Sequence, residues 1–282
     1  MPPSRTILIT GCSSGIGESA ARILRERGWR VFASARTSED VERLHGEGFE
    51  ALRLDLDDSA SILAAVDELL RRTGGTLDAL FNNGAYGLPG AVEDLTRDAL
   101  RAQFETNLFG WLELTNRLIP VMRRQGHGRI VQCSSVLGFA AFPYRGAYNA
   151  TKFALEGLTD TLRMELRDTG ILVSLIEPGP ISTRFRANAL KAFQRWITIE
   201  GSAHEEQYRR QLERLQKEGP AAPFTLPPEA VAGALVHALE SPRPRLRYRV
   251  TVPTIVFAWL KRILPGRWMD AMLLRASGGG KR

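Results

Sequence analysis

Short runs of apolar residues alternate with amphipathic segments over the first two thirds of the chain. The apolar runs are typical of β-strands and cover residues 6–10, 30–35, 49–55, 77–83, 128–135 and 171–179. Between them, apolar residues recur at helical spacing in segments 17–28, 59–75, 96–124 and 147–168. Strands that are apolar throughout and alternate with helices indicate a parallel sheet buried on both faces. The pattern therefore predicts an α/β fold with a doubly wound, Rossmann-type parallel sheet, and a single domain over residues 1–282.

The segment 184–225 does not continue this pattern. It is polar, lacks strand character and ends in the residues GPAAPF. An insertion of this kind beyond a strand end is where lids over active sites lie, so we expect a helical substrate lid here. The alternative is a helical excursion on the surface with no role at the site.

The last forty residues differ from the rest of the chain in charge. Residues 243–282 contain ten Lys or Arg and one acidic residue, which leaves 28 basic and 30 acidic residues in 1–242. The net charge of +7 therefore belongs to this basic C-terminal extension, and we do not expect nucleic acid as a partner. The extension also holds an uncharged run at 250–260. Three interpretations are open: packing on its own domain or on another subunit of a homo-oligomer, closure of the substrate entrance, or contact with an anionic membrane surface.

Composition argues against several function classes. Two cysteines, Cys12 and Cys133, are too few for a disulfide framework, and we interpret both as small packing residues of a cytoplasmic protein. The four histidines are scattered, so no metal site is expected. No apolar run reaches the roughly 18 residues of a membrane-spanning helix. The N-terminal apolar run is too short for a signal peptide.

A glycine-rich turn, TGCSSGIG, follows the first predicted strand and opens a helix. Glycines let the backbone approach a pyrophosphate, and a helix N-terminus supplies free N–H groups and the positive end of the helix dipole. Glycine in such a turn can also serve the turn alone. The candidate dinucleotide-binding residues here are Gly11, Ser13, Ser14, Gly15, Ile16 and Gly17.

The tip of the second predicted strand carries Arg36 instead of the acidic residue that binds the ribose of NAD. A guanidinium at this place can bind the 2′-phosphate of NADP, although a solvated surface arginine is the alternative. We therefore expect NADP as the cofactor. At the tip of the third strand, Asp55, with Leu56 beside it, is placed to contact the adenine. Asn82, which ends the fourth strand, is placed to brace the turn beneath the ribose.

Six motifs occur in order along the chain: TGCSSGIG, NNGAYG, TNLFG, CSSVLG, YNATK and EPGPIST. With them the chain resembles the short-chain dehydrogenases/reductases over residues 6 to about 183. Within that family it is similar to the NADP-dependent hydroxysteroid dehydrogenases and to bacterial NADP-dependent aldehyde reductases. The resemblance implies a nicotinamide cofactor and a catalytic tetrad, here Asn107, Ser135, Tyr148 and Lys152. Gly84, Tyr148 and Lys152 are further candidate cofactor contacts. In EPGPIST, Pro178 and Gly179 belong to a rigid turn, and the backbone of Ile181 and the hydroxyl of Thr183 are candidates for the nicotinamide carboxamide and the pyrophosphate. A loop opening without a cofactor role is the alternative.

One motif departs from the family. Where the family has Asn-Asn-Ala-Gly after the fourth strand, this chain has Asn82-Asn83-Gly84-Ala85. If the second small residue needs a positive φ, Ala85 is strained. The sequence leaves the effect on cofactor affinity open, and activity is expected to survive.

Tyr148 and Lys152 are four residues apart on a predicted helix, so they share a face. A nearby ammonium stabilises a phenolate, and we expect Lys152 to lower the pKa of Tyr148 so that it donates a proton near neutral pH. Lys152 can also bond the nicotinamide ribose, Ser135 can hold the substrate oxygen, and Asn107 can anchor a water that relays protons to Lys152. Each residue also has a structural interpretation, such as a surface aromatic or a helix polar residue, but the four in order favour catalysis.

The expected substrate wall is mostly apolar, which favours an aliphatic or polycyclic carbonyl compound or alcohol. Core packing is the alternative for its candidates, which are Val136, Leu137, Phe142, Pro143, Tyr86, Leu88, Phe185, Phe193 and Trp196, beside Ser135 and Tyr148. The first hypothesis is an NADPH-dependent carbonyl reductase. The second hypothesis is an enzyme of the same fold that, in the cell, oxidises a hydroxysteroid or retinol-like alcohol. The third is an NADP-binding sensor or scaffold without turnover.

Overall fold

Parallel strands form the centre of the molecule in the computed structural model, which describes residues 5–216, 219 and 222–277. One seven-stranded sheet has the order β3-β2-β1-β4-β5-β6-β7, with all neighbours parallel. The strands are β1 (Thr6–Ile9), β2 (Arg30–Ala35), β3 (Glu50–Arg53), β4 (Ala79–Asn82), β5 (Gly128–Cys133), β6 (Ile171–Pro178) and β7 (Arg247–Val250). The predicted doubly wound parallel sheet is confirmed.

Helices connect the strands and continue beyond the last one. They are α1 (Gly15–Glu26), α2 (Ser38–Gly46), α3 (Ser59–Thr73), α4 (Arg97–Phe104), α5 (Gly110–Gln125), α6 (Gly146–Glu165), α7 (Phe185–Trp196), α8 (Glu205–Gln216), α9 (Glu229–Glu240), α10 (Val252–Ile263) and α11 (Gly266–Ala276). The segment predicted as a lid holds α7 and α8, and the C-terminal extension holds β7, α10 and α11. Residues 217, 218, 220 and 221 of the predicted lid and 278–282 of the extension lie outside the described part of the chain.

The strand order reverses between β1 and β4, and this reversal determines where a ligand can bind. The chain moves from β1 outward to β2 and β3, then returns to the other side of β1 with β4. The loops after β1 and β4 consequently diverge and leave a crevice at the carboxyl ends of the strands, which is where open α/β sheets bind ligands.

The long helix predicted over 96–124 is interrupted. Five residues, Glu105–Phe109, form a π-helical turn between α4 and α5. At Gly110 the helix then passes so close to the loop after β3 that a Cβ would lie 2.1 Å from the backbone oxygen of Leu56. A π-turn often marks a functional site, and this one carries Asn107.

Three hydrophobic clusters hold the layers together. The largest surrounds the sheet, with β1 and β4 almost wholly enclosed. A second lies under α7 and α8 and is centred on Phe193 and Tyr208. The third joins α10 and α11 to the loop after β5 through Met269, Leu273 and Ala140. Among the described residues, no helix combines the length and apolar character needed to cross a bilayer.

Candidate active site

The glycine turn after β1 is shaped by close backbone approaches. Gly11 and Gly15 have φ angles of 72° and 63°, which favour glycine. A Cβ on Gly11 would lie 2.7 Å from the Cα of Gly84, and one on Gly15 would lie 2.9 Å from Thr183. Helix α1 begins at Gly15, and its N-cap residue Ser14 makes no side-chain cap hydrogen bond. The turn therefore presents free N–H groups and a positive dipole end to the crevice.

Two residues next to the predicted ones brace this turn. Thr10 accepts hydrogen bonds from the N–H groups of Asn83 and Gly84, at 2.8 and 2.9 Å. The Asn83 amide donates to the backbone oxygens of Thr10 and Gly11, at 3.0 and 3.4 Å. Asn82, expected to brace the turn, is instead fully buried and donates to Thr115. Asn83, the next residue, braces the turn in its place, because successive residues of a strand point to opposite faces of the sheet.

The reversed Gly84-Ala85 pair causes no backbone strain. Among the described non-glycine residues, only Tyr144, Phe224 and Thr251 have positive φ, so Ala85 does not. Gly84 is instead required for space, because its neighbour Gly11 approaches within 3.3 Å of where a Cβ would stand. The strain considered for Ala85 from the sequence is therefore absent.

The residues expected around the adenine end lie at the edge of the crevice, outside its lining. Arg36 follows β2 and is exposed, and its charge acts on Asp57. Asp55 accepts a hydrogen bond from the N–H of Asp57, while Leu56 is buried beneath Gly84. Sequence reasoning missed a nearby cation: Arg43 of α2 donates to the backbone oxygen of Ser13 at 2.9 Å.

The loop after β6 forms the opposite wall of the crevice. Gly179 lies so near β7 and α10 that a Cβ there would meet the Thr251 hydroxyl at 2.1 Å. Its N–H donates to the backbone oxygen of Val250 at 2.9 Å. Thr183 packs against Gly15, so this loop and the glycine turn close on each other across the crevice. The predicted Pro178, Gly179, Ile181 and Thr183 all line it.

Tyr148 and Lys152 lie together on α6, both almost completely buried. The Lys152 ammonium donates to the backbone oxygen of Cys133 at 2.8 Å and lies 4.2 Å from the ring centroid of Trp111. The distance from Nζ to the ring centroid of Tyr148 is 5.6 Å. The ring of Phe185 covers Tyr148 from the lid side, with centroids 5.4 Å apart.

The expected lowering of the Tyr148 pKa is not present. Burial raises this pKa well above its ordinary value, the charge of Cys133 adds to the effect, and the Ser135 hydroxyl opposes it. Burial also lowers the pKa of Lys152 to about 8. Burial therefore opposes the charged form of both side chains. The sequence could show the spacing of the pair but not its burial.

Ser135 and Asn107 take different positions around this pair. Ser135 follows β5 and caps a short turn by accepting from the N–H of Leu137 at 3.1 Å. The Asn107 amide is fully buried: it accepts from the N–H of Tyr86 at 3.1 Å and donates to the Tyr86 oxygen at 2.8 Å. Asn107 thus fixes the loop after β4, and its role through a bridging water stays a prediction.

A charged cluster behind Lys152 had no recognisable signal in the sequence. Arg247 of β7 contacts Glu156, Asp160 and Glu177 at 2.7 to 3.1 Å. Arg249 contacts Glu177 at 3.1 Å as well. Burial, followed by the charge of Glu156, raises the pKa of Glu177 to about 7. Because three carboxylates share two guanidinium groups, the cluster ties β7 and β6 to α6, and the charge of Glu156 acts on Lys152.

The crevice continues into a cleft of about 1420 Å³ that reaches the lid. Of the predicted site residues, it is lined by Gly11, Ser13, Ser14, Gly15, Ile16, Gly84, Ser135, Val136, Leu137, Phe142, Pro143, Tyr148, Lys152, Pro178, Gly179, Ile181, Thr183 and Phe185. It is not lined by Gly17, Arg36, Asp55, Leu56, Asn82, Tyr86, Leu88, Asn107, Phe193 or Trp196. Leu88 and Phe193 belong to the cluster under the lid, so core packing is the correct interpretation of both.

The lid side of the cleft is less apolar than expected. Arg145 begins α6 and donates to the oxygens of Tyr144 and Gln211, at 2.8 and 3.1 Å. Burial, with the charge of Arg214 as a smaller contribution, lowers the pKa of Arg145 to about 10. Within the described ranges, no three His, Cys, Asp or Glu side chains are placed to share a metal ion.

The sequence and the fold both match known proteins. The model of the short chain dehydrogenase family matches residues 5–193. A relative from Escherichia coli strain K12, the uncharacterized oxidoreductase YbbO, is 45% identical over 269 residues, which is 95% of this chain and 94% of the relative.

More distant relatives carry functional names. The NADPH-dependent 3-dehydrocapnine reductase of Ornithobacterium rhinotracheale is 30% identical, with 96% of each chain covered. Human 17-beta-hydroxysteroid dehydrogenase type 1 is 34% identical, with 87% of this chain and 77% of the relative covered. The crystal structure of a short-chain dehydrogenase from Streptomyces avermitilis superimposes with a TM-score of 0.77 and 29% identity, and the match covers both chains completely.

Proposed function

This chain belongs to the short-chain dehydrogenase/reductase family, and we propose that it is an NADPH-dependent carbonyl reductase that transfers hydride to an apolar aldehyde or ketone. Membership of the family makes it an oxidoreductase that acts on CH–OH or carbonyl groups of a small molecule with a nicotinamide cofactor. The proposal of carbonyl reduction rests mainly on one observation: Tyr148, Ser135 and Lys152 line the same cleft as the glycine turn.

The glycine turn fits the pyrophosphate of a dinucleotide. Gly11 and Gly15 leave space that a Cβ would fill, and the start of α1 offers N–H groups without a side-chain cap. Thr183 faces this turn from the loop after β6, where it is available to the nicotinamide half. When bound, the reduced cofactor supplies the hydride.

Tyr148 supplies the proton in this proposal. Its raised pKa keeps the phenol protonated at neutral pH, so the hydroxyl is ready to donate to a carbonyl oxygen as negative charge develops there. Ser135, whose hydroxyl interacts with Tyr148, holds the same oxygen. Lys152, with a pKa of about 8, titrates near neutral pH and can return a proton to the site.

This protonation state favours reduction over oxidation. Oxidation of an alcohol needs a tyrosinate to accept the proton, and burial of the phenol opposes that form. A hydroxysteroid or retinol-type alcohol dehydrogenase therefore remains the second candidate, favoured by the similarity to human 17-beta-hydroxysteroid dehydrogenase type 1. A sensor or scaffold without turnover has less support because the reactive pair is intact.

The preference for NADPH is proposed from the tip of β2. Arg36 stands where an NAD-binding protein has an acidic residue, and its side chain is exposed. Arg43 lies at the back of the glycine turn as well, but its charge is already paired with Glu47 and Asp40. A 2′-phosphate would meet the Arg36 guanidinium, whereas a free ribose hydroxyl gains little from it.

The apolar walls near Tyr148 support the proposed substrate class. Val136, Leu137, Phe142 and Phe185 line the cleft on either side of the reactive hydroxyl. The α7–α8 segment, which covers this region, is the proposed lid. Because these walls are apolar, an aliphatic or polycyclic substrate can pack against them without displacing strongly bound water.

We further propose that the protein is a homo-oligomer and is located in the cytoplasm. Helices α5 and α6 and the turn before α5 expose Leu112, Leu158 and Phe109, which a second subunit would cover. Both cysteines are free and buried, as fits a reducing compartment. Light scattering after size exclusion measures the subunit number.

The test is a panel of aldehydes and ketones with NADPH or NADH, followed by the absorbance of the reduced nicotinamide. We expect turnover with NADPH and a lower kcat/KM with NADH. In Arg36→Gln, loss of a charge-assisted contact worth about 1.5–3 kcal/mol should raise the KM for NADPH roughly 10- to 100-fold and leave that for NADH unchanged. Arg124→Gln, at another exposed arginine, is the control. Faster turnover with NADH, or no reduction of any carbonyl, would refute the proposal.

A further inference from the structure

Helix α10 is apolar on two opposite faces, and within the part of the chain that the structure describes only one of them is buried against other elements. The inner face buries Thr254 and Ala258 and packs Phe257 and Leu260 on the loop after β5. The outer face carries Val252, Ile255, Val256, Trp259 and Ile263, which are between 44% and 70% exposed. Their spacing of three or four residues makes a continuous apolar stripe along the helix.

Helix α11 follows α10 and adds an exposed indole and exposed cations. Trp268 is 69% exposed. Arg262, Arg267 and Arg275 are exposed beside it, and Asp270 is the one acidic residue between 252 and 276. We call the outer stripe, Trp268 and these three arginines the C-terminal face. It combines apolar, indole and cationic groups, which is the composition of surfaces that lie in the headgroup region of a bilayer.

The C-terminal face is held rigidly from behind. The Phe257 ring packs edge-on against Phe142, with centroids 5.6 Å apart. The Lys261 ammonium donates to the backbone oxygen of Phe139. The Thr251 and Thr254 hydroxyls share a hydrogen bond of 3.0 Å beside Gly179. The outward position of Trp259 and Ile263 is thus fixed by the fold and needs no rearrangement before binding.

We propose that the C-terminal face docks the protein on an anionic lipid surface. The charge distribution favours this occupant over a second copy of the chain. Residues 1–242 are near neutral with 28 basic and 30 acidic residues. The C-terminal face carries Arg262, Arg267 and Arg275 against the single acidic residue Asp270, whereas Arg247 and Arg249 of the same basic segment are already paired with carboxylates. A symmetric dimer through this face would bring Arg262, Arg267 and Arg275 of both copies together. Lipid phosphates neutralise the same arginines while the acyl boundary takes Trp259 and Ile263.

Docking in this way would bring the substrate cleft to the bilayer. Pro253 and Phe257 of α10 and Leu274 of α11 line that cleft. A carbonyl compound dissolved in the membrane could then enter along the two helices without crossing water. This consequence rests on the proposed function, whereas the docking itself does not.

Sedimentation with vesicles tests the docking without any substrate. We expect the full chain to sediment with phosphatidylglycerol-containing vesicles at low salt, to remain in solution with pure phosphatidylcholine, and to be released by high salt. Tryptophan emission should shift to shorter wavelength on binding, because Trp259 and Trp268 leave water. Trp259→Glu should weaken binding at least tenfold. Met164→Glu is the matched control, since Met164 on α6 is 61% exposed and Trp259 is 60% exposed.

Two further measurements distinguish lipid docking from loss of enzyme activity and from dimer formation. NADPH-dependent reduction of a short water-soluble aldehyde should be equal in wild type and Trp259→Glu, so an inactive wild type would contradict the proposed function and leave the docking result standing. Light scattering reports whether a second copy covers the face. The docking proposal is overturned if wild type ignores phosphatidylglycerol vesicles at low salt, if Trp259→Glu binds them as wild type does, or if wild type is a dimer that Trp259→Glu converts to monomer.

Discussion

Replacing Lys152 by methionine should stabilise the folded protein at neutral pH while removing its activity. Lys152 is 1% exposed, and its ammonium is enclosed by Trp111, Tyr148 and the backbone of β5. No carboxylate forms an ion pair with it among the described residues; Glu156 acts on it only as a nearby charge. The fold therefore maintains a buried cation at a cost in stability, and methionine fills similar space without charge.

The cost follows from the pKa of Lys152. Burial lowers this pKa from 10.5 to about 8, a difference of roughly 2.5 pH units. At about 1.36 kcal/mol per unit, the protonated lysine destabilises the folded state by roughly 3 kcal/mol. In the variant the Cys133 oxygen loses its hydrogen-bond donor, which lowers the unfolding free energy by about 1 kcal/mol. The variant should thus gain about 2 kcal/mol near pH 7, or a rise in Tm of about 3–4 °C for a chain of 282 residues.

The sign of the pH dependence is fixed by the direction of the shift. Since the folded pKa lies below the unfolded one, the unfolded chain binds more protons between pH 8 and 10.5. Wild-type stability consequently rises with pH across that window relative to the variant. The advantage of Lys152→Met should be greatest below pH 8 and should vanish, or reverse slightly, above pH 10.5.

The assay is urea unfolding of the cofactor-free proteins across this pH range, followed by circular dichroism. Other tyrosines and lysines titrate in both proteins, so the difference in unfolding free energy isolates Lys152. Lys152→Arg is the control, because arginine keeps a charge that does not titrate in this range. The difference in unfolding free energy between Lys152→Met and Lys152→Arg should therefore not close as the pH rises. A variant less stable than wild type at pH 7, or a stability difference that does not change with pH, would refute the reasoning.

The remaining predictions concern packing. Gly110→Ala places a Cβ 2.1 Å from the backbone oxygen of Leu56, which cannot move away, so thermal unfolding should show a loss of about 3 kcal/mol. Gly157→Ala, where nothing lies within 4 Å, should instead gain up to about 1 kcal/mol, and equal effects at the two sites would contradict the importance of close approach at Gly110. Tyr208→Phe removes the hydroxyl that donates to Asp94 in the cluster under the lid; calorimetry should show a loss of about 1–3 kcal/mol, and an unchanged Tm would show that this contact does not hold the lid.

Six of the seven strands, β1 to β6, could be predicted from the sequence because each lies in a segment of strand-forming residues bounded by turns, and these six include the edge strand β3. Edge strand β7 was missed because its residues alternate between Arg247, Tyr248, Arg249 and Val250, and the arginines are held by carboxylates of other elements. Helix α2 was also missed, since its nine residues bury only Leu44 and show a weak apolar pattern. The elements that the sequence missed are therefore those with a weak apolar pattern, whereas the edge strand β3 was found.

The identities of the site residues were better predicted than their environments. Spacing along α6 correctly placed Tyr148 and Lys152 on one face. The predicted direction of the Tyr148 pKa shift was wrong, because burial raises this pKa. The burial depends on Trp111 and the lid, whose positions the sequence does not show. Asn83 was missed in favour of Asn82 because the sequence does not show which of two neighbours faces the turn.

The most direct test of the central claim is the rate of carbonyl reduction by Tyr148→Phe at saturating NADPH, with cofactor binding measured separately by fluorescence. If the Tyr148 hydroxyl donates the proton, kcat should fall by about 10²- to 10⁴-fold while the Kd for NADPH stays within about twofold of wild type. Tyr144→Phe removes a hydroxyl from the same cleft and should keep most of the activity. Reduction of the aldehyde by Tyr148→Phe at the wild-type rate would contradict the proposed mechanism.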